Sequence, residues 1–155
     1  MGELKFILFA LADEEYGVEV NQVKTIERMI PISRVPNTPP FVKGVFNLRG
    51  VIVPVIDLRS RFGLEETPFT DDTRIIIVQV NDMEVGLIVD SANDVIDLEA
   101  DMIEDPPEVV GGIKAKYLRG IAKRSESKLL ILLHLEEVLN REEIIQLETF
   151  HTERV

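Results

Sequence analysis

Short apolar runs broken by polar turns dominate the chain. Phe6-Ile7-Leu8-Phe9-Ala10-Leu11 and the segment 74–80 are rich in β-branched and aromatic residues and end in polar turns, so each predicts a strand. Tyr16–Val20 and Val85–Val89 read as the strands returning from those turns. Asn81-Asp82 has the composition of a tight hairpin loop with positive φ. Val51–Ile56 and Leu129–Leu133 are almost wholly apolar, as expected of strands buried on both faces. Pro54 cannot donate to a ladder and predicts an edge or bulge position, and Gly17 and Gly86 mark places where a bulge or sharp bend would be cheap. Proline-rich loops at Pro36–Pro40 and Asp105–Pro107, and the pair Gly111-Gly112, separate the strands. Over Leu135–Phe150 the apolar positions take the period of an amphipathic helix, bent near Asn140-Arg141.

The pattern recurs. Shifted by 69, the hairpin built on Phe6–Leu11 and Glu15–Asn21 becomes Ile75–Val80 and Glu84–Asp90, with Gly17 falling on Gly86. A second match places Asn47-Leu48-Arg49-Gly50-Val51 on Tyr117-Leu118-Arg119-Gly120-Ile121, 70 residues on, which makes Arg49 and Arg119 repeat partners. About five strands in each unit of roughly 65 residues imply a small barrel, since closure removes exposed edges. The fold expected is all-β: two five-stranded barrels packed through an apolar seam, with a short C-terminal helix. The units would run from about 12 to 70 and about 71 to 150, with strand 4–11 free to pack on the second.

Charge and chemistry narrow the function by exclusion. A net charge of −11 in 155 residues opposes nucleic acid, whose phosphates need clustered Lys and Arg. The acid is unevenly spread: Ile75 to Ile113 holds ten Asp and Glu and no Lys or Arg. That stretch is a solvated face or a partner-facing one. With no Cys there is neither disulfide nor thiolate metal site, which suits a cytoplasmic protein. No apolar run approaches the roughly 18 to 20 residues needed to cross a bilayer, so direct membrane insertion is not expected. Asp90, Asp94, Asp97 and Asp101 invite a calcium reading. The loop fails the pattern, with Ala92 at its third place and no Gly at its sixth. His134 stands where a helix N-cap belongs, and no set of nucleophile, base and acid converges, so neither catalysis nor a cofactor is expected.

Several motifs carry a resemblance. Glu14-Glu15-Tyr16-Gly17-Val18, Lys43–Gly50 ending in Asn-Leu-Arg-Gly, Val51–Arg59 with its Pro-Val and Asp-Leu-Arg, Gly86–Asp90 and Tyr117–Ile121 together resemble the CheW adaptor family of bacterial chemotaxis. The likeness extends along nearly the whole chain. The same fold occurs in the regulatory domain of the kinase CheA and in CheV, but a kinase or receiver domain would not fit in this length. The resemblance implies two SH3-like five-stranded barrels and a scaffold joining the cytoplasmic tip of a chemoreceptor to the regulatory domain of a CheA-type histidine kinase. It places receptor binding at Val23, Thr25 and Arg49. Thr25 stands where the family often has Glu, and Glu27 lies two residues on. Ile30, Ile32 and Val35 are the candidate kinase-facing residues. The bare residues leave alternatives open: Arg49 could cover a barrel end, the three apolar residues could fill the first barrel, and an SH3-like module could bind Pro-rich peptides of another pathway.

Overall fold

A computed structural model describes residues 3–36, 38–80, 82–110, 113–123 and 128–138. Strands β1 (Glu3–Leu11), β2 (Glu14–Glu19), β3 (Val23–Arg28), β4 (Val42–Leu48) and β5 (Val51–Asp57) lead into the one-turn helix α1 (Leu58–Arg61). Then follow β6 (Arg74–Val80), β7 (Met83–Val89), β8 (Ser91–Glu99), the small hairpin β9 (Val109–Val110) and β10 (Ile113–Lys114), β11 (Leu118–Lys123) and β12 (Leu129–Leu133). Helix α2 is described over Leu135–Val138, where the predicted C-terminal helix begins; the rest of that helix, Asn81 and Gly111-Gly112 lie outside the described residues.

The sheets do not follow the two halves of the sequence. One has the order β11-β12-β2-β1-β8, the other β3-β6-β7-β5-β4. Each takes the leading hairpin of one repeat and the trailing strands of the other, so sheet membership crosses the expected boundary near residue 70. Reversed, the second order maps onto the first strand for strand. Parallel pairs fall at matching places: Leu132 beside Gly17 and Val55 beside Gly86. Isolated two-residue bridges, Ser33 with Val45 and Glu104 with Ile121, tie the segments after β3 and β8 back to β4 and β11, closing each sheet toward a barrel.

Those bridges correct the second repeat match. Gly44 and Gly120 each precede the bridging residue and each lie opposite a register shift. A Cβ would stand 2.1 Å from the Ser33 carbonyl oxygen at Gly44 and 2.8 Å from that of Glu104 at Gly120. Lys43-Gly44-Val45 therefore corresponds to Arg119-Gly120-Ile121, 76 residues on. Arg119 is the counterpart of Lys43, not of Arg49. The β9–β10 hairpin lengthens the second unit, and a chance Leu-Arg-Gly at the old shift hid the change.

Two local expectations also give way. Gly17 and Gly86 sit in regular ladders with no bulge. Their role is close approach, because a Cβ at Gly86 would lie 2.8 Å from Ile75 Cγ2, and one at Gly17 3.0 Å from Leu132 Cδ2. Pro54 lies on β5, which has β4 and β7 on its two sides. It is tolerated because its partner Val45 spends both backbone groups on Ser33, and pairing with β7 starts only at Val55.

Strand alternation explains the continuous apolar runs. Phe6 and Leu8 of β1 enter one barrel core with Leu98, Leu130 and Leu132, while Ile75 and Ile77 of β6 enter the other with Phe46, Val53 and Ile88. The intervening Ile7, Phe9, Ile76 and Val78 point the other way, into a larger cluster drawn from both sheets. This is the expected seam.

Candidate binding surfaces

The six residues singled out from the sequence land in different settings. Arg49 and Gly50 form a two-residue hairpin loop between the paired Leu48 and Val51, with φ of 53° and 86°. Positive φ at both central positions is the type I′ pattern that matches strand twist. Asn47 Oδ1 accepts a hydrogen bond from the Gly50 amide at 2.8 Å. A bulky side chain held in left-handed backbone stores about 1 to 2 kcal/mol of strain, and Arg49 is exposed there.

The other five are half-buried. Val23 and Thr25 flank a register shift on β3, opposite Val78 and Ile77. Val23 packs on the seam cluster, and the Thr25 hydroxyl is buried without a hydrogen-bond partner. Glu27 pairs in register with Ile75. Ile30 and Ile32 pack against the core of the β3–β7 barrel, and the Val35 carbonyl accepts from the Thr38 hydroxyl at 3.0 Å. β3 and β4 stand at opposite ends of one sheet order, so the receptor set is spread over a strand and a hairpin tip.

The Asp-Leu-Arg motif proves to be a structural joint. Asp57 Oδ1 accepts the Arg59 amide at 2.9 Å and starts α1. Arg59 grips Asp90 through Nε at 2.8 Å and a second guanidinium nitrogen at 2.6 Å, and donates to the Glu65 carbonyl. Asp90 also accepts the Ala12 amide, so one carboxylate ties the β5–α1 corner to the β1–β2 turn. Burial would push Asp90 up, but Arg59 and the Ala12 amide together hold it below the usual carboxylate range. Asp57 is pushed up by its burial, against the opposing pull of the Arg59 amide and Lys43. Nothing in the sequence pattern signalled the partner across the sheet.

A cavity of about 310 Å³ opens beside this joint, lined by Asp57, Arg59, Phe69, Thr73 and Asp90 among others. A second, of about 460 Å³, lies beside the ion pair of Arg119 with Glu19 and includes Gln22, His134 and Glu136. In the wall of the first, the Thr70 and Thr73 hydroxyls accept the Asp72 and Thr70 backbone amides. Among the described residues no group of three or more His, Asp or Glu could hold a metal ion. The calcium candidates are dispersed: Asp90 pairs with Arg59 and Asp97 with Lys5 at 2.9 Å. His134 precedes α2, its carbonyl accepting from the Glu137 and Val138 amides, as an N-terminal residue should. Exposed Asp94, Glu99, Asp101, Glu104, Asp105 and Glu108 make β8 and the segment after it an acidic face. Among the described residues no helix is long and apolar enough to cross a membrane.

Comparison with known proteins places this architecture. Residues 5–143 match the model of the CheW-like domain. The chain is 46% identical over 138 residues to the chemotaxis protein CheW of Bacillus subtilis, spanning 89% of this chain and 88% of that one. It is 39% identical over 140 residues to CheW of Klebsiella aerogenes, covering 90% and 84%. Among solved structures, the scaffolding protein TtCheW from Thermoanaerobacter tengcongensis superposes with a TM-score of 0.83 at 37% identity, over 92% of each chain. With its two SH3-like barrels and matched over nearly its whole length, the chain belongs to the CheW-like family, as a non-enzymatic chemotaxis scaffold.

Proposed function

We propose that the chain couples the cytoplasmic tip of a chemoreceptor to the regulatory domain of a CheA-type histidine kinase. The receptor tip would contact Val23, Thr25 and Arg49, and the kinase domain the face that carries Ile30, Ile32 and Val35. The observation that carries the reading is Arg49: an exposed cation in strained backbone at a hairpin tip, where Asn or Gly would be cheaper for the fold. A cost kept at a solvent-facing position favours a partner as its reason. Half-buried Ile30 and Ile32 brace the barrel and can still offer an apolar edge.

Coupling of this kind works by alignment. A helical receptor hairpin offers anchors at i, i+3 and i+4 to a groove, and holding two partners on one rigid body raises their effective concentration. Only a difference in contact energy between two receptor states can bias the kinase. The Pro-rich-peptide alternative finds little support, because Phe9, Tyr16 and Phe62 stack inside the molecule. In pull-down with receptor and kinase fragments, Arg49→Glu should leave the fold and kinase binding intact and weaken receptor capture about tenfold or more. Normal three-way assembly by this variant would reject the role of Arg49.

A further inference from the structure

Arg61 ends α1 and meets groups from other parts of the chain. Its guanidinium carbon lies 4.9 Å from the ring centroid of Phe41 and 4.9 Å from that of Tyr117. Its Nε donates to the Val138 carbonyl at 2.6 Å. The two rings occupy equivalent places in the repeats. The Phe41 carbonyl accepts the Asp57 amide at 2.8 Å, and the Tyr117 carbonyl accepts the His134 amide at 2.9 Å. α1 and α2 follow those amides, each opening on a buried Leu, so Arg61 and Val138 hold the same place, fourth along, in equivalent helices. One guanidinium thus sits where equivalent groups of the two halves converge. The neighbouring Phe62 continues the contact, its ring 5.7 Å from Tyr117 and 6.3 Å from Tyr16.

We infer that Arg61 is the positioning residue that fixes the angle between the two barrels. A planar guanidinium can present both faces to two rings and still donate in its own plane; a Lys ammonium cannot do all three. The two ring contacts draw on Phe41, which leads into β4 of one sheet, and Tyr117, which leads into β11 of the other. Loss of the guanidinium leaves the barrel cores untouched and, with the apolar seam still joining the two bodies, loosens the angle between them. The consequence for signalling rests on the adaptor reading: a displacement at one docking surface reaches the other only across a fixed angle.

The chain has no Cys, so paired labels can be placed at will. Spin labels at exposed Arg28 and Glu99, one on each sheet, report the angle by double electron–electron resonance, and a pair at Arg28 and Asn47 within one sheet is the control. Arg61→Leu should broaden the between-sheet distance distribution about twofold and leave the control unchanged. Arg61→Lys should broaden it less. Each two-way complex should form with wild-type affinity, while kinase activation in the three-way complex falls several-fold. Wild-type widths in both variants would overturn the inference, and so would a broadened control pair. If Arg61→Leu fails to fold, the width in Arg61→Lys decides. Broadening with full activation would overturn the signalling role of the fixed angle. Failure of the unsubstituted protein to form either complex would sink the adaptor reading and leave the distance result standing.

Discussion

At the scale of single residues, closely placed groups divide structural from solvent-facing duties. Gly44 is needed for barrel closure: its φ of 147° and the Ser33 carbonyl 2.1 Å from a would-be Cβ leave no room for a side chain. Gly44→Ala should destabilise by on the order of 3 kcal/mol or more in denaturant titration; a loss below about 1 kcal/mol would contradict the closure account. Asp90 and Asp57 give a pH signature of opposite signs. Asp90 titrates below its unfolded value, so its pairing with Arg59 stabilises the fold above the ordinary carboxylate pKa of about 3.9 and is lost as pH falls through the lower, folded value. Asp57 titrates above its unfolded value, so its burial cost is present at neutral pH and is relieved as pH falls through the raised value toward 3.9. Melting curves should therefore show Asp90→Asn lowering Tm near pH 7, with the gap closing in strong acid. Asp57→Asn, still able to accept the Arg59 amide, should not lower Tm near pH 7. The sequence made Arg49 visible through its Asn-Leu-Arg-Gly context. It could not reveal Arg61, whose partners Phe41, Tyr117 and Val138 become neighbours only once both sheets are assembled.

Among the elements, the strands were legible because apolar density and polar turns are local properties. β6 (Arg74–Val80) and β12 (Leu129–Leu133) carry the bounds expected of them. The failures share one cause: neighbour identity is not local. Pro54 looked like an edge residue because the bridge that occupies Val45 lies twelve positions before Val45, at Ser33. The glycines at 17 and 86 looked like bulges because the side chains crossing them, Leu132 and Ile75, come from other strands. Arg49 and Arg119 looked equivalent because the β9–β10 hairpin shifts the repeat in a region where few residues match.

For the whole molecule, two sheets that exchange their leading hairpins cannot be separated at the midpoint of the sequence. Residues 1–70 lack β6 and β7 from one sheet and β8, β11 and β12 from the other. Circular dichroism and amide dispersion should show the fragments 1–70 and 71–155 each largely unfolded alone, and folding together on mixing. An independently folded 1–70 fragment would contradict the topology. The same exchange makes the seam the largest apolar cluster, with Phe9, Tyr16, Ile76 and Leu87 fully buried between bodies. Phe41 and Tyr117, the rings beside Arg61, pack against this cluster.

The central claim is that this molecule joins two partners and does no chemistry of its own. Co-sedimentation of the purified chain with a chemoreceptor signalling fragment and a CheA-type kinase, read together with kinase autophosphorylation, tests it most directly. The account predicts a three-way complex that forms only when the chain is present, and an autophosphorylation rate that changes on its addition. A kinase that sediments with receptor equally well without the chain, at an unaltered rate, would contradict it.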